Sequence, residues 1–272
     1  MKRESINKKT FKNLQECELF ILDLDGTIYI GDELIYGAID FVEHLKNLGK
    51  KFVYLTNNSS RASSDYVKIL KSMGFSCEKE NVFTSGMATG MYLIKRYPKK
   101  KVYLVGTEAL KIELNSYGIE INNEDADVVV VGYDKELTYA KLLKATHFIR
   151  KGVPYIATHP DLVCPLPHGE LAPDCGSICS LLEKSTSRQP DIIIGKPNPF
   201  MIKLLSNKLN INVDKICSIG DRLYTDILAT KNSGAISILV LSGESTISMV
   251  DKSEFKPDFI YNSVYDLINI IS

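Results

Sequence analysis

The chain has 272 residues, 44% of them hydrophobic, enough to bury a core in one large domain or two small ones. Its 33 basic and 33 acidic side chains cancel, so no overall field draws it to nucleic acid or to a membrane surface. No stretch reaches the ~18 apolar residues of a membrane span. The polar, Lys-rich opening MKRESINKKTFKNLQEC has no apolar run behind it and does not read as a secretory signal, so a cytoplasmic protein is expected.

In chain order, short apolar runs rich in β-formers occur at 19–22, 52–55, 102–105, 128–131, 155–157, 192–194, 216–219, 236–241 and 259–261. Most are apolar throughout rather than alternating, the pattern of parallel strands covered on both faces. Between them, stretches such as 38–48, 63–73, 137–150 and 199–209 carry apolar residues at helical spacing. Gly49, Gly74, Gly118 and Gly152 sit where helix C-caps belong. This alternation predicts an α/β fold with a doubly wound, Rossmann-like parallel sheet. Pro98, inside a basic stretch, and the segment 185–190 are two soft points, and the residues between them suggest an inserted α/β unit. The six cysteines are scattered without a Cys-x-x-Cys pair and read as free thiols. Cys175 and Cys179 could share a helix face, but only His159 and His168 are near enough to assist them, which argues against zinc.

Four of the apolar runs end in polar residues, where ligands of an open parallel sheet bind. The run at 19–22 leads into Asp23, Asp25, Gly26 and Thr27. Two carboxylates two residues apart on a continuing strand point the same way and repel, which a hard cation such as Mg²⁺ would relieve. Taken alone, Asp-x-Asp-Gly is equally a turn. The second run ends in Thr56, Asn57 and Asn58, whose donors suit phosphate oxygens but also suit an ordinary helix cap. The third leads into Gly195 and Lys196 between prolines, a fixed positive charge at a strand end. The fourth ends in Gly220 and Asp221, with Asp226 five residues on. Asp221 is expected to face Asp23 and Asp25 across one metal position, and Asp226 to support the metal directly or through water.

These four elements, DLDGT, TNN, GKPNP and GDRLYTD in this order, resemble the haloacid dehalogenase superfamily. THPD at 158–161 and PDCGSI at 173–178 resemble the cap of its NagD-like and 4-nitrophenylphosphatase-like branch, although His159 stands where many relatives carry Asn. The resemblance implies a catalytic core of residues 1–98 and 190–272 with a cap at 99–189. It also implies Mg²⁺-dependent hydrolysis of small phosphate monoesters: nucleotides, sugar or glycerol phosphates, or pyridoxal phosphate. Asp23 would be the nucleophile that forms an aspartyl-phosphate, and Asp25 the acid and then the base. Thr56, Asn57, Asn58 and Lys196 would bind the phosphoryl group. Asp23, Asp25 (through its carbonyl), Asp221 and Asp226 would hold the metal. A phosphomutase or phosphotransferase on the same core, and a non-catalytic binding module, are the alternatives. A homodimer through the cap is a further expectation. The segment 159–170 is expected to be a proline-stiffened loop that selects the leaving group with His159, Asp161, Cys164 and His168.

Overall fold

The computed structural model describes residues 14–166 and 169–272. In chain order its principal strands are β1 (Leu19–Leu22), β2 (Lys51–Thr56), β3 (Lys101–Val105), β4 (Glu120–Ile121), β5 (Val128–Val131), β6 (Tyr155–Ala157), β7 (Val163–Pro165), β8 (Leu171–Pro173), β9 (Ile192–Ile193), β10 (Ile216–Gly220), β11 (Ile236–Val240) and β12 (Phe259–Tyr261). The residues fall into two compact units. Of the described residues, one takes in 14–55, 70–81 and 202–272, the other 56–69, 82–166 and 169–201. This grouping draws its lines elsewhere than 98/99 and 189/190: the segment that leaves β2 and the one that carries Lys196 both join the second unit.

In the first unit, five parallel strands run in the order β12-β11-β10-β1-β2. All four residues of β1 and all five of β10 are buried, which is why these strands read as unbroken apolar runs. Leu22 stands between Ile219 and Tyr54, so Asp23 and Gly220 leave the sheet side by side. The Asp23 N–H extends the ladder by donating to the Ile219 carbonyl at 2.9 Å. After β1 the chain goes first to one neighbour, β2, and later to the other, β10. The β1–β10 boundary is therefore a switch point of the sheet, the place where such folds bind ligands. The helix Ala38–Asn47 buries Ala38, Phe41, Val42 and Leu45, the i, i+3, i+4, i+7 stripe.

In the second unit, a parallel sheet runs β9-β6-β5-β3-β4. Val129, Val131, Tyr155 and Ala157 pack there with Phe148 and Ile149 of the helix Tyr139–Arg150 and Ile178 and Leu182 of the helix Cys175–Thr186, a core of its own. The segment 159–170, expected as a loop throughout, contains β7, paired antiparallel with β8. Its prolines did not prevent pairing because this two-stranded ribbon has two open edges, where a missing N–H is tolerated. Gly49, Gly74, Gly118 and Gly152 all have positive φ, between 67° and 96°, as left-handed caps do. Among the described residues no helix is long and apolar enough to cross a membrane.

Candidate active site

Each unit gathers a polar cluster at the carboxyl ends of its strands. In the first unit, Asp23, Asp221 and Asp226 each present an oxygen within 4.8 Å of the others. Asp221 and Asp226 are buried and Asp23 is half-buried. Asp226, expected to support the metal directly or through water, is the third member of the trio, and the side chain of Asp25 is exposed. The reason is local. Gly26 turns the chain at φ 83° immediately after Asp25. The segment Leu223–Ile227 forms a π-helical turn, a geometry frequent at functional sites, and this carries Asp226 back over Gly220. A Cβ on Gly220 would lie 2.4 Å from that of Asp226.

The loop after β11 holds Asp221 from the other side. Its Oδ2 accepts from the Glu244 N–H at 2.7 Å and its carbonyl from the Ser245 N–H at 3.2 Å. Ser242 Oγ donates to the Gly26 carbonyl at 2.7 Å. Cβ atoms on Gly26 or Gly243 would come within 2.3 or 2.1 Å of Asp221 Oδ2, so both glycines are required by close approach. Arg222 adds a counter-charge. Burial opposes its ionisation, but Asp221, Asp23, Tyr224 and Glu244 outweigh that and hold the guanidinium pKa above its ordinary value. Its Nε lies 3.0 Å from Glu244, which in turn accepts from the Tyr224 hydroxyl at 2.7 Å. The 241–245 segment and Arg222 were not singled out from sequence. The signal available was LSGES, another apolar run that ends in small polar residues.

An all-oxygen set of three carboxylates, cradled between glycines that leave no room for side chains, has the chemistry a hard divalent cation requires. The charge of the set also calls for one, since three neighbouring carboxylates repel without a cation or protons.

In the second unit, Thr56, Asn57 and Lys196 are all buried, at 4%, 7% and 6% exposure, and are therefore not an ordinary solvated cap and lysine. Thr56 Oγ1 accepts from the Asn58 N–H at 3.1 Å, and Asn58 Oδ1 accepts from both the N–H and the hydroxyl of Ser60, at 2.9 and 2.8 Å. The Asn57 side chain is turned to the Lys196 backbone: Oδ1 accepts from its N–H at 2.8 Å, and Nδ2 donates to its carbonyl at 3.0 Å. The same Nδ2 donates to Asp161 Oδ2 at 3.1 Å. The side-chain amide expected to bind a phosphoryl oxygen is thus already engaged.

The residues expected to face a leaving group have other partners. His159 is fully buried, its Nδ1 2.8 Å from Thr158 Oγ1 and its Nε2 2.8 Å from Asp174 Oδ1. No ring edge is left for a substrate. Burial opposes its charge, but the Cys175 sulfur, the Asp174 hydrogen bond and charge, and Asp161 raise its pKa to about 9. His159, Asp161 and Asp174 lie close enough to suggest a second metal position, yet their hydrogen bonds complete the group without one. Cys164 lies in β7, half-buried, and His168 lies outside the described residues. None of the six cysteines forms a disulfide, and the Cys175 and Cys179 sulfurs lie 4.0 Å apart on one helix.

Residues 20–120 match the model of the haloacid dehalogenase-like hydrolases, and 193–267 match a HAD-hydrolase-like model. A solved 4-nitrophenylphosphatase from Thermotoga maritima is 45% identical, with a TM-score of 0.92 over 96% of this chain and 99% of that one. The chain belongs to the haloacid dehalogenase-like hydrolases. An acid sugar phosphatase of Staphylococcus epidermidis is 34% identical over 92% of this chain and 96% of its own. A chloroplastic phosphoglycolate phosphatase of Arabidopsis thaliana is 35% identical over 94% and 78%. This family member is a phosphatase of the NagD-like and 4-nitrophenylphosphatase-like branch, with the parallel α/β fold of that group.

Proposed function

We propose that the protein hydrolyses small phosphate monoesters with Mg²⁺ through an aspartyl-phosphate on Asp23. The observation that carries the reading is the carboxylate trio at the β1–β10 switch point, with Asp23 its least buried member. Asp23, Asp221 and Asp226 would hold the ion, together with the Asp25 carbonyl. When bound, Mg²⁺ supplies positive charge against the carboxylates and the phosphoryl oxygens. Asp23 attacks phosphorus and becomes the acyl phosphate while the leaving oxygen departs. Asp25, two residues beyond the nucleophile and exposed, moves a proton to that oxygen and then takes one from the hydrolytic water. Lys196 offers its charge to the phosphoryl group, and the Thr56 hydroxyl offers it a hydrogen bond.

The names of the relatives bring three substrate classes to this chain: an acidic two-carbon phosphate, sugar phosphates and an aryl phosphate. The reading includes a cytoplasmic enzyme. It also includes a homodimer through the β7–β8 ribbon, which exposes Leu162, Val163, Leu166 and Leu171. The test of the chemistry is Asp23→Asn, nearly isosteric and a poor nucleophile. It is expected to keep its thermal midpoint and to lose phosphate release from 2-phosphoglycolate, glucose 6-phosphate and 4-nitrophenyl phosphate alike. More than about a tenth of wild-type kcat, a barrier change below ~1.4 kcal/mol, would place the nucleophile elsewhere.

A further inference from the structure

The Asn57 amide meets the Lys196 backbone on two sides, taking its N–H and giving to its carbonyl, as one strand residue meets another. That pairing fixes the Lys196 Cα from a distant part of the chain. The amide is held in turn. Its remaining N–H goes to the Asp161 carboxylate, a charged acceptor and so the stronger kind of partner.

Asp161 is well placed to hold it, because the segment before it cannot move freely. His159 is anchored through both ring nitrogens. Pro160 fixes its own φ and restricts His159 before it. The Asp161 carbonyl accepts from the Gly176 N–H at 2.8 Å, and Gly176 is packed so tightly that a Cβ there would lie 2.1 Å from the Pro160 carbonyl oxygen. On the lysine side, the Gly195 N–H donates to the Thr158 carbonyl at 2.8 Å. A Cβ on Gly195 would strike Asn57 Oδ1 at 2.6 Å and His159 Cβ at 2.7 Å. Two segments and one amide thus close on the residue that carries the lysine.

We infer that Asn57 and Asp161 are positioning residues that together set Lys196 for phosphoryl transfer, and that Asp161 acts through this clamp rather than by touching the leaving group. The inference rests on the reading of Lys196 as the cation that serves the phosphoryl group. Loss of the Asp161 carboxylate frees the amide to turn and the Lys196 backbone to shift. A shift on the order of 1 Å at a catalytic group can cost up to ~100-fold in rate.

The experiment compares Asp161→Ala and Asp161→Asn, each alone and in a Lys196→Ala background, on 4-nitrophenyl phosphate, 2-phosphoglycolate and glucose 6-phosphate. Asp161→Ala is expected to lower kcat about tenfold or more, by a similar factor on all three, with KM within about twofold. Asp161→Asn keeps an acceptor oxygen for the Asn57 amide and is expected to stay within about threefold of wild type. On top of Lys196→Ala, removal of Asp161 is expected to cost less than about twofold, since both act through one group. Thermal midpoints are measured throughout. Should Asp161→Ala not fold, Asp161→Ser, too short to reach Asn57, carries the same expectation. A changed ranking of substrates, or an undiminished loss in the Lys196→Ala background, would overturn the inference while Lys196→Ala itself remained crippled. Near-wild-type turnover of Lys196→Ala alone would overturn the underlying reading of Lys196, and the inference with it.

Discussion

His159 shows how far one residue's role depends on its surroundings. A histidine at the end of a strand in a phosphatase invites a role in substrate contact or proton transfer. Here it is buried, between a threonine hydroxyl and the carboxylate that also caps the helix Cys175–Thr186. Its pKa is raised from the ordinary 6.5 to about 9, against the pull of burial, by Cys175, Asp174 and Asp161. A pKa raised on folding adds stability that is fully present below about 6.5 and lost as the pH climbs through about 9. The denaturation midpoint is therefore expected to fall between pH 7 and pH 9.5 more steeply in the wild type than in His159→Asn. Parallel slopes for the two proteins would show that the imidazolium–carboxylate pair does not form.

At the scale of elements, the site is made by strand ends that meet glycines. Gly220, Gly26 and Gly243 each leave room that an aspartate fills, and each would collide with it if given a Cβ. Gly118 is a glycine of another kind, at φ 75° with nothing within 4 Å of the place a Cβ would take. The two kinds predict different losses. Gly118→Ala strains only its own left-handed backbone and is expected to cost about 1 kcal/mol of stability with kcat unchanged. Gly220→Ala pushes Asp226 off its place, 2.4 Å from the new Cβ, and is expected to raise the Mg²⁺ concentration needed for half-maximal activity about tenfold or more. An unchanged Mg²⁺ requirement in Gly220→Ala would remove Asp226 from the metal set. The π-helical turn that carries Asp226 belongs to the same design, for a regular α-turn would direct residue 226 elsewhere.

At the scale of the whole molecule, the chain divides into two compact units, each with its own parallel sheet. A cation held by the carboxylate trio would couple to the stability of the first unit. An ion that binds the folded state alone adds about 2.7 kcal/mol when present at a hundred times its Kd. Mg²⁺ is therefore expected to raise the thermal midpoint by several degrees over the EDTA-treated protein, and Mg²⁺ after EDTA to restore hydrolysis. Ca²⁺ is expected to recover much of the midpoint but little of the rate, because its looser and larger coordination misplaces Asp23 for attack. Full activity in excess EDTA would reject the metal-dependent reading.

The amino-acid sequence by itself determined where the strands lie, because strands buried on both faces must be apolar throughout: β1, β5, β6 and β12 fall where the runs at 19–22, 128–131, 155–157 and 259–261 place them. It also determined the left-handed caps at four glycines and the placement of Asp23, Lys196 and Asp221 just beyond strand ends, since these follow from local pattern. Tertiary structure decided which polar groups meet. Asp226 came within reach of Asp23 and Asp221, the 241–245 segment closed over Asp221, and His159 turned inward to Asp174. The Asn57 amide found Asp161, 104 residues away, and Lys196, 139 residues away. Hydrophobic period is a property of neighbouring residues and is written along the chain. The partner of a buried polar group is chosen by desolvation among whatever groups the folded chain brings within about 3 Å, and no local pattern records that choice.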